Sequence, residues 1–197
     1  MSIDGDDVMS HVSEGSQDSR STAGPILDFL KNEARLLHKQ AKEDLRPAVQ
    51  RLNKHSPAVA LGEDIQRKHC LATVAREIGF PSWKAVIDCF EKRTEASFAE
   101  FLHPNRCHIF WNIWLASYEE AAKVRAEHGG FLLSYVNQFI VVDDDYVSAL
   151  GAAHDNALWA AIGRDWAKPN DFAARDQLSL RFVKENLKVV QPQMVSS

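Results

Sequence analysis

Cysteine is scarce in this chain. The three present, Cys70, Cys89 and Cys107, are an odd number and include no CxxC pair, which argues against a disulfide scaffold. Glycine and proline are also few, 9 and 7 in 197 residues, so the chain is neither collagen-like nor a Gly/Pro-rich polymer. No apolar run approaches the roughly 18–20 residues needed to span a bilayer. The N-terminus lacks the basic-then-apolar build of a signal peptide. No GxSxG, no P-loop and no familiar catalytic cysteine setting occurs, so the common nucleophile and phosphate-loop signatures are missing. No internal repeat is visible.

What is present is an ordinary globular composition. Hydrophobic residues make up 45% and charged residues 25%, too apolar for a wholly disordered chain. The length suits one domain or two small ones. The expectation is a cytoplasmic protein without membrane association, mainly α with a small α+β part.

Charge is unevenly spread, although the whole carries only −4. Residues 1–30 have a net charge of −5, residues 31–93 of +5, and residues 94–197 of −4. Such asymmetry hints at separate units. The expected division is a disordered acidic tail at 1–24, a helical module of about three helices at 25–93, an α+β module at 97–190 and a frayed tail at 191–197. The first segment is rich in Ser, Asp and Gly and cannot bury enough apolar surface to offset its ordering entropy.

Within the helical module, Ile26, Phe29, Leu30, Ala34, Leu37, Ala41 and Leu45 form one stripe at three- and four-residue spacing, the mark of an amphipathic helix. Pro47 should end or kink it, leaving Val49 and Leu52 a last turn. A second helix is expected from Glu63 to Ile78, ended by Gly79. Ser82 should cap a third, Trp83 to about Lys92.

The α+β module begins with aromatics at helical spacing, Phe110, Trp111, Trp114 and Tyr118, read as a helix over 108–118. Ser117 should cap a helix at 118–128 that stops at Gly129-Gly130. FLLSY and QFIVV predict a β-hairpin at about 131–142, turning on Val136-Asn137. Asp143 should cap a helix ending at Gly151. Two further helices are expected at Asn156–Trp166 and Ala173–Leu187. The first would carry Trp159 and Trp166 on one face.

Three constellations bear on function. The first is Ala75, Gly79, Phe80 and Ala85 around the Gly-Phe-Pro-Ser turn, the pattern of a helix-turn-helix. On that reading Arg67, Lys68, Lys84, Lys92 and Arg93 would meet nucleic-acid phosphates. Asp88 on the would-be recognition helix opposes it, so nucleic acid is a possible but not the favoured partner. The second is His103-Pro-Asn-Arg-Cys107-His108. It offers zinc-type donors but no second pair at sensible spacing, so no metal or other cofactor is expected. The third is a polar set at element ends, where sites are often built: Arg106, His108, Asn112, Tyr135, Gln138, Arg164 and Asp165. These could line a single ligand cleft if the hairpin packs over the 108–118 segment. Asp143-Asp144-Asp145 reads as a helix-capping turn.

The phrase Leu71-Ala72-x-x-Ala75-Arg76-Glu77-Ile78-Gly79-Phe80-Pro81-Ser82-Trp83-x-x-Val86 carries a resemblance. The run from about Leu36 to Phe90, roughly a quarter of the chain, resembles a small helical module of bacterial proteins that precedes ankyrin-repeat or glyoxalase-like domains. The resemblance implies a fold piece and a bacterial origin, and no activity. No 33-residue ankyrin period comes after it. The C-terminal part is similar to a module of bacterial proteins without assigned activity, through Trp114, Ser117 to Ala121, Gly129-Gly130, Gln138-Phe139 and Ile162 to Trp166.

Taken together, these readings favour a non-catalytic interaction or regulatory protein with a protein partner. The alternatives are a small-molecule-binding protein or enzyme using the polar cleft, and a DNA-binding regulator using residues 71–92.

Overall fold

The computed structural model describes residues 24–55, 64–92, 98–153 and 156–190. The expected tails at 1–23 and 191–197, the start of the second helix at Glu63 and the division at 93–97 lie outside the described residues.

The first helix, α1 (Gly24–Lys42), buries Ile26, Leu27, Leu30, Ala34, Leu37 and Ala41, which adds Leu27 to the expected stripe and leaves Phe29 half-buried. Leu45 falls beyond the helix and is exposed. Asp44 takes a left-handed conformation (φ 55°) and reverses the chain into α2 (Arg46–His55). Pro47 therefore stands in the first turn of a new ten-residue helix, where its missing N–H costs nothing, and the expected single last turn is too short. Helix α3 (Arg67–Glu77) starts later than Glu63. The fully buried Glu77 carboxylate accepts from Arg51 Nε at 2.8 Å and Nη2 at 2.7 Å, which ties α3 to α2 by a bidentate pair. Gly79 (φ 93°) then turns the chain, a conformation that favours glycine. The Ser82 hydroxyl accepts from Ala85 N at 3.2 Å and opens α4 (Trp83–Lys92) as expected.

The rest of the chain contains α5 (Ala99–Leu102), a 3-10 turn at Asn105–Cys107, β1 (Asn112–Leu115), α6 (Tyr118–His128), β2 (Phe131–Tyr135), β3 (Gln138–Val142), α7 (Asp144–Leu150), α8 (Ala157–Ala161) and α9 (Phe172–Val190). The fold is mainly helical with a small antiparallel sheet in the order β1-β3-β2. The hairpin β2–β3 closes on Val136 and Asn137, with Val136 at φ 51°. Ser117, Asp143 and Asn156 cap their helices by accepting from Glu120 N, Tyr146 N and Leu158 N.

Two expected helices are corrected. Residues 108–118 do not form a helix: 112–115 are strand β1, paired along β3 from Asn112↔Val142 to Leu115↔Phe139. β3 would otherwise leave an unpaired edge, and its backbone groups need partners. The aromatic spacing there suits a helix, but pairing with β3 overrides it. The Asn156–Trp166 helix ends at Ala161. Gly163 (φ 69°) and Arg164 (φ 54°) turn the chain, and 164–166 runs beside β2, with Arg164 O accepting from Leu132 N at 3.0 Å and Trp166 N donating to Leu132 O at 2.8 Å. Trp159 and Trp166 thus share no helix face, yet their rings meet at 6.3 Å between centroids.

The period of two along a strand sorts the sheet into two faces. Leu132 and Val141 pack with Ala121 of α6. Phe131, Leu133, Ile140 and Val142 face the main core, which also takes in Leu30 and Leu37 of α1, Val74 of α3, Val86 of α4 and Phe182 of α9. Phe80, Phe90, Phe98, Phe101, Phe182, Trp159 and Trp166 form a continuous chain of ring contacts through it. Among the described residues no helix is long and apolar enough to cross a membrane.

Candidate functional site

A cavity of about 660 Å³ opens where the core-facing side of the sheet meets the 3-10 turn and the end of α3. That size is usual for a small-molecule pocket. Trp114 on β1 lies across from Ile140, which lies across from Leu133 on β2. Tyr135 stands two residues beyond Leu133, so alternation puts Trp114 and Tyr135 on the same side of the sheet at its open end. The short loop 103–108 supplies His103, Pro104, Asn105, Arg106 and His108; α3 and its turn supply Arg76, Glu77, Ile78 and Gly79; α9 supplies Asn186.

Four rings make one wall. His103 stacks on His108 with centroids 4.4 Å apart, and meets Trp114 at 5.0 Å and Tyr135 at 5.7 Å edge to face. Trp114 and Tyr135 meet edge to face at 5.0 Å. Asn112 sits behind this wall: its Oδ1 accepts from Trp114 Nε1 at 2.8 Å and its Nδ2 donates to Phe110 O at 2.8 Å, which fixes the indole.

The other wall is cationic. Arg106 Nε donates to Ala149 O at 2.8 Å, and its Nη1 donates to Asn186 Oδ1. Its Nη2 is buried with no hydrogen-bond partner among the described residues. Arg76 donates to His55 O from an exposed position. Among the described residues Glu77 is the one carboxylate in the lining, and its charge is already matched by Arg51. Burial pulls the His103 pKa below the ordinary histidine value, and neighbouring His108 adds to this. Burial first, and then Cys107, hold Tyr146 far above the ordinary phenol value. Cys107 lies beneath the loop with its thiol against Tyr146 O at 4.0 Å, and burial raises that thiol to about 11. A thiol so held is a poor nucleophile at neutral pH.

Of the seven residues proposed for a cleft, Arg106, His108 and Tyr135 converge on this cavity. Asn112 orients the wall from behind. Gln138 stands exposed at the hairpin end, across from Tyr135. Arg164 and Asp165 lie elsewhere, beside β2. The Asp165 carboxylate accepts from Tyr118 Oη at 2.8 Å and from Lys168 N at 2.9 Å, and lies 3.7 Å from Arg125. Arg164 covers the Phe131 ring at 5.2 Å.

His103, Trp114, Arg76 and Asn186 were missed by the sequence-based assignment. Two histidines bracketing Arg106 within six residues were the available signal. On the sequence, His103 reads only as a metal donor, although His108 is placed in the cleft, and Trp114 reads as part of an aromatic stripe and of the C-terminal resemblance.

Among the proposed nucleic-acid contacts, Arg67 and Lys68 are exposed at the start of α3. Lys84 is paired with Asp88 on the outer face of α4, and the Lys92 side chain and Arg93 lie outside the described residues. A second groove, of about 440 Å³, runs along α9 among Arg181, Lys184, Glu185 and Lys188. No family model, curated protein or solved structure matches the chain.

Proposed function

We propose that the chain is a small-molecule-binding protein that takes a compact anion with a flat ring, such as an arylcarboxylate, in the His103–Trp114 cavity. One observation carries this reading: two arginines line the cavity with four ring side chains, and among the described residues the one carboxylate in its lining is already paired. A ring-lined box is also the usual receptor for a quaternary ammonium. Here Arg76 and Arg106 would repel a cation. Sign of charge therefore decides for an anion. The buried thiols give no activated nucleophile, so the reading is of a binding or regulatory protein, in keeping with the expected cytoplasmic location.

Benzoate titrated into the full chain tests it. Binding should quench Trp114 fluorescence and be lost in Trp114→Phe as an optical signal but not as heat. Arg76→Gln should weaken binding about tenfold, close to 1.4 kcal/mol, while choline should not bind. Choline binding with benzoate inert would overturn the assignment.

A second reading, contact with a protein partner, draws on Ile109 (84% exposed) and Trp111 (49% exposed) beside the outer edge of β1. Exposed apolar side chains next to a strand edge are a common docking feature.

A further inference from the structure

The tautomer of His103 can be read from its hydrogen bonds. Tyr146 Oη lies 2.9 Å from Leu102 O, and a carbonyl oxygen can only accept. The single phenolic proton must therefore point at Leu102. His103 Nδ1 is bonded to the same phenolic oxygen, so it must be the donor. The imidazole proton sits on Nδ1, and the lone pair of the neutral ring sits on Nε2. Among the described residues nothing bonds Nε2, and the ring lines the cavity. Tyr146 is fully buried, so its phenolic proton is shielded from water.

The groups facing His103 set the sign of its response to a ligand. From its own loop come Arg106 and His108; from α3 come Arg76 and the Arg51-paired Glu77; from β1, β2 and α9 come the uncharged Trp114, Tyr135 and Asn186; from α7 comes Tyr146, neutral at ordinary pH. The uncompensated charges are positive. They oppose a further proton on His103 while the cavity is empty, and an anion placed among them removes that opposition.

Resting on the binding reading above, we propose that occupation of this cavity by an arylcarboxylate is coupled to uptake of a proton at His103 Nε2. A proton from solvent adds to the Nε2 lone pair, no bond of the ligand is broken, and the bound state is an imidazolium–carboxylate pair. The site is a proton-coupled receptor for acids, which holds its ligand more tightly as pH falls from 8 to 6.

Calorimetry with benzoate at pH 7 tests this, because benzoate is fully ionised there and does not itself titrate. In wild type the binding heat should change with the ionisation heat of the buffer, showing up to one proton taken up. In His103→Gln binding should weaken, and the heat that remains should be buffer-independent. In the free protein, nitrogen-15 spectra at pH 7 should show His103 protonated at Nδ1 and bare at Nε2, and Tyr146→Phe should release that preference. Benzoate binding with buffer-independent heat in wild type overturns the coupling and leaves the binding reading intact. Absence of binding overturns both. A protonated Nε2 in the free protein overturns the coupling by itself.

Discussion

Two polar clusters lie against the same small sheet, one beside β2 and one at the open end of its core-facing side, and they use similar side chains in opposite ways. Around Asp165, a tyrosine, an arginine and a backbone N–H all converge on one carboxylate. Around His103, a tyrosine, an arginine and a histidine pair surround open space, and among the described residues one buried guanidinium nitrogen has no acceptor. The first cluster uses its hydrogen-bonding capacity to hold the fold. The second keeps some of it unfilled. Burial of polar groups does not separate a structural knot from a binding wall; what separates them is whether the partners are all internal.

The contrast can be broken by a stability comparison. Asp165→Ala should leave Tyr118 Oη and Lys168 N without their acceptor and Arg125 without its counter-charge, at a cost of about 3 kcal/mol. Trp114→Ala, at an exposed cavity wall, should cost about 1 kcal/mol or less. Urea unfolding midpoints of the two variants measure this. Equal losses would mean that the His103 wall is as structural as the Asp165 knot.

The knot also depends on the turn that delivers Asp165 to β2. Gly163 is left-handed at φ 69°, and a Cβ there would come within 2.7 Å of Asn170 Nδ2. Gly163→Ala should cost about 1–2 kcal/mol for the conformation alone, less than loss of the carboxylate, because Asn170 is exposed and can yield. Benzoate binding should be unchanged in this variant. A lowered affinity would show that the two clusters communicate.

How much of this was legible in the sequence depends on which signals were local. Caps were legible: Ser82, Ser117 and Asp143 each accept from a nearby backbone N–H, a bond decided within a few residues. The hairpin was legible from two β-prone runs. β1 was not, because its strand character comes from pairing with β3, some 24–30 residues away, while its own aromatic spacing suits a helix. The early end of α8 was hidden too, since Arg164 leaves helical geometry to give its carbonyl to Leu132. At the site, the polar residues near 106 and 135 could be picked by type. Their separation from Arg164 and Asp165 comes from where along β2 each packs, the cavity residues at its open end and 164–166 beside Leu132, which no spacing rule encodes.

A smaller effect separates the clusters by pH at the alkaline end. Tyr118 is raised to about 12, by burial first and then by its bond to, and the charge of, Asp165. Above pH 10 the unfolded chain loses this proton before the folded one does, so stability should fall as pH rises from 10 to 12 and then level off. Tyr118→Phe should flatten that decline in thermal melts taken across the range. An unchanged decline would show that the phenol is not held by Asp165 in the way described.

The acid side should show the smallest effect, and its origin lies in the binding wall. The folded-state pKa of His103 is depressed below the ordinary 6.5, by burial and then by His108. His55 is depressed as well, chiefly by burial. As pH falls through 6.5 the unfolded chain takes up these protons first, so stability is full above that pH and declines below it until the folded histidines are also protonated. His103→Gln should remove part of the decline between pH 6.5 and 5, and His55→Gln another part, with the double variant flatter than either. Benzoate supplies the control that joins this to the cavity. By favouring the protonated His103 it should flatten the wild-type decline and leave that of His103→Gln untouched. A wild-type acid profile that ignores benzoate, at concentrations where binding is measured, would place the titrating histidine away from the ligand and return the His103 wall to the same structural class as the Asp165 knot.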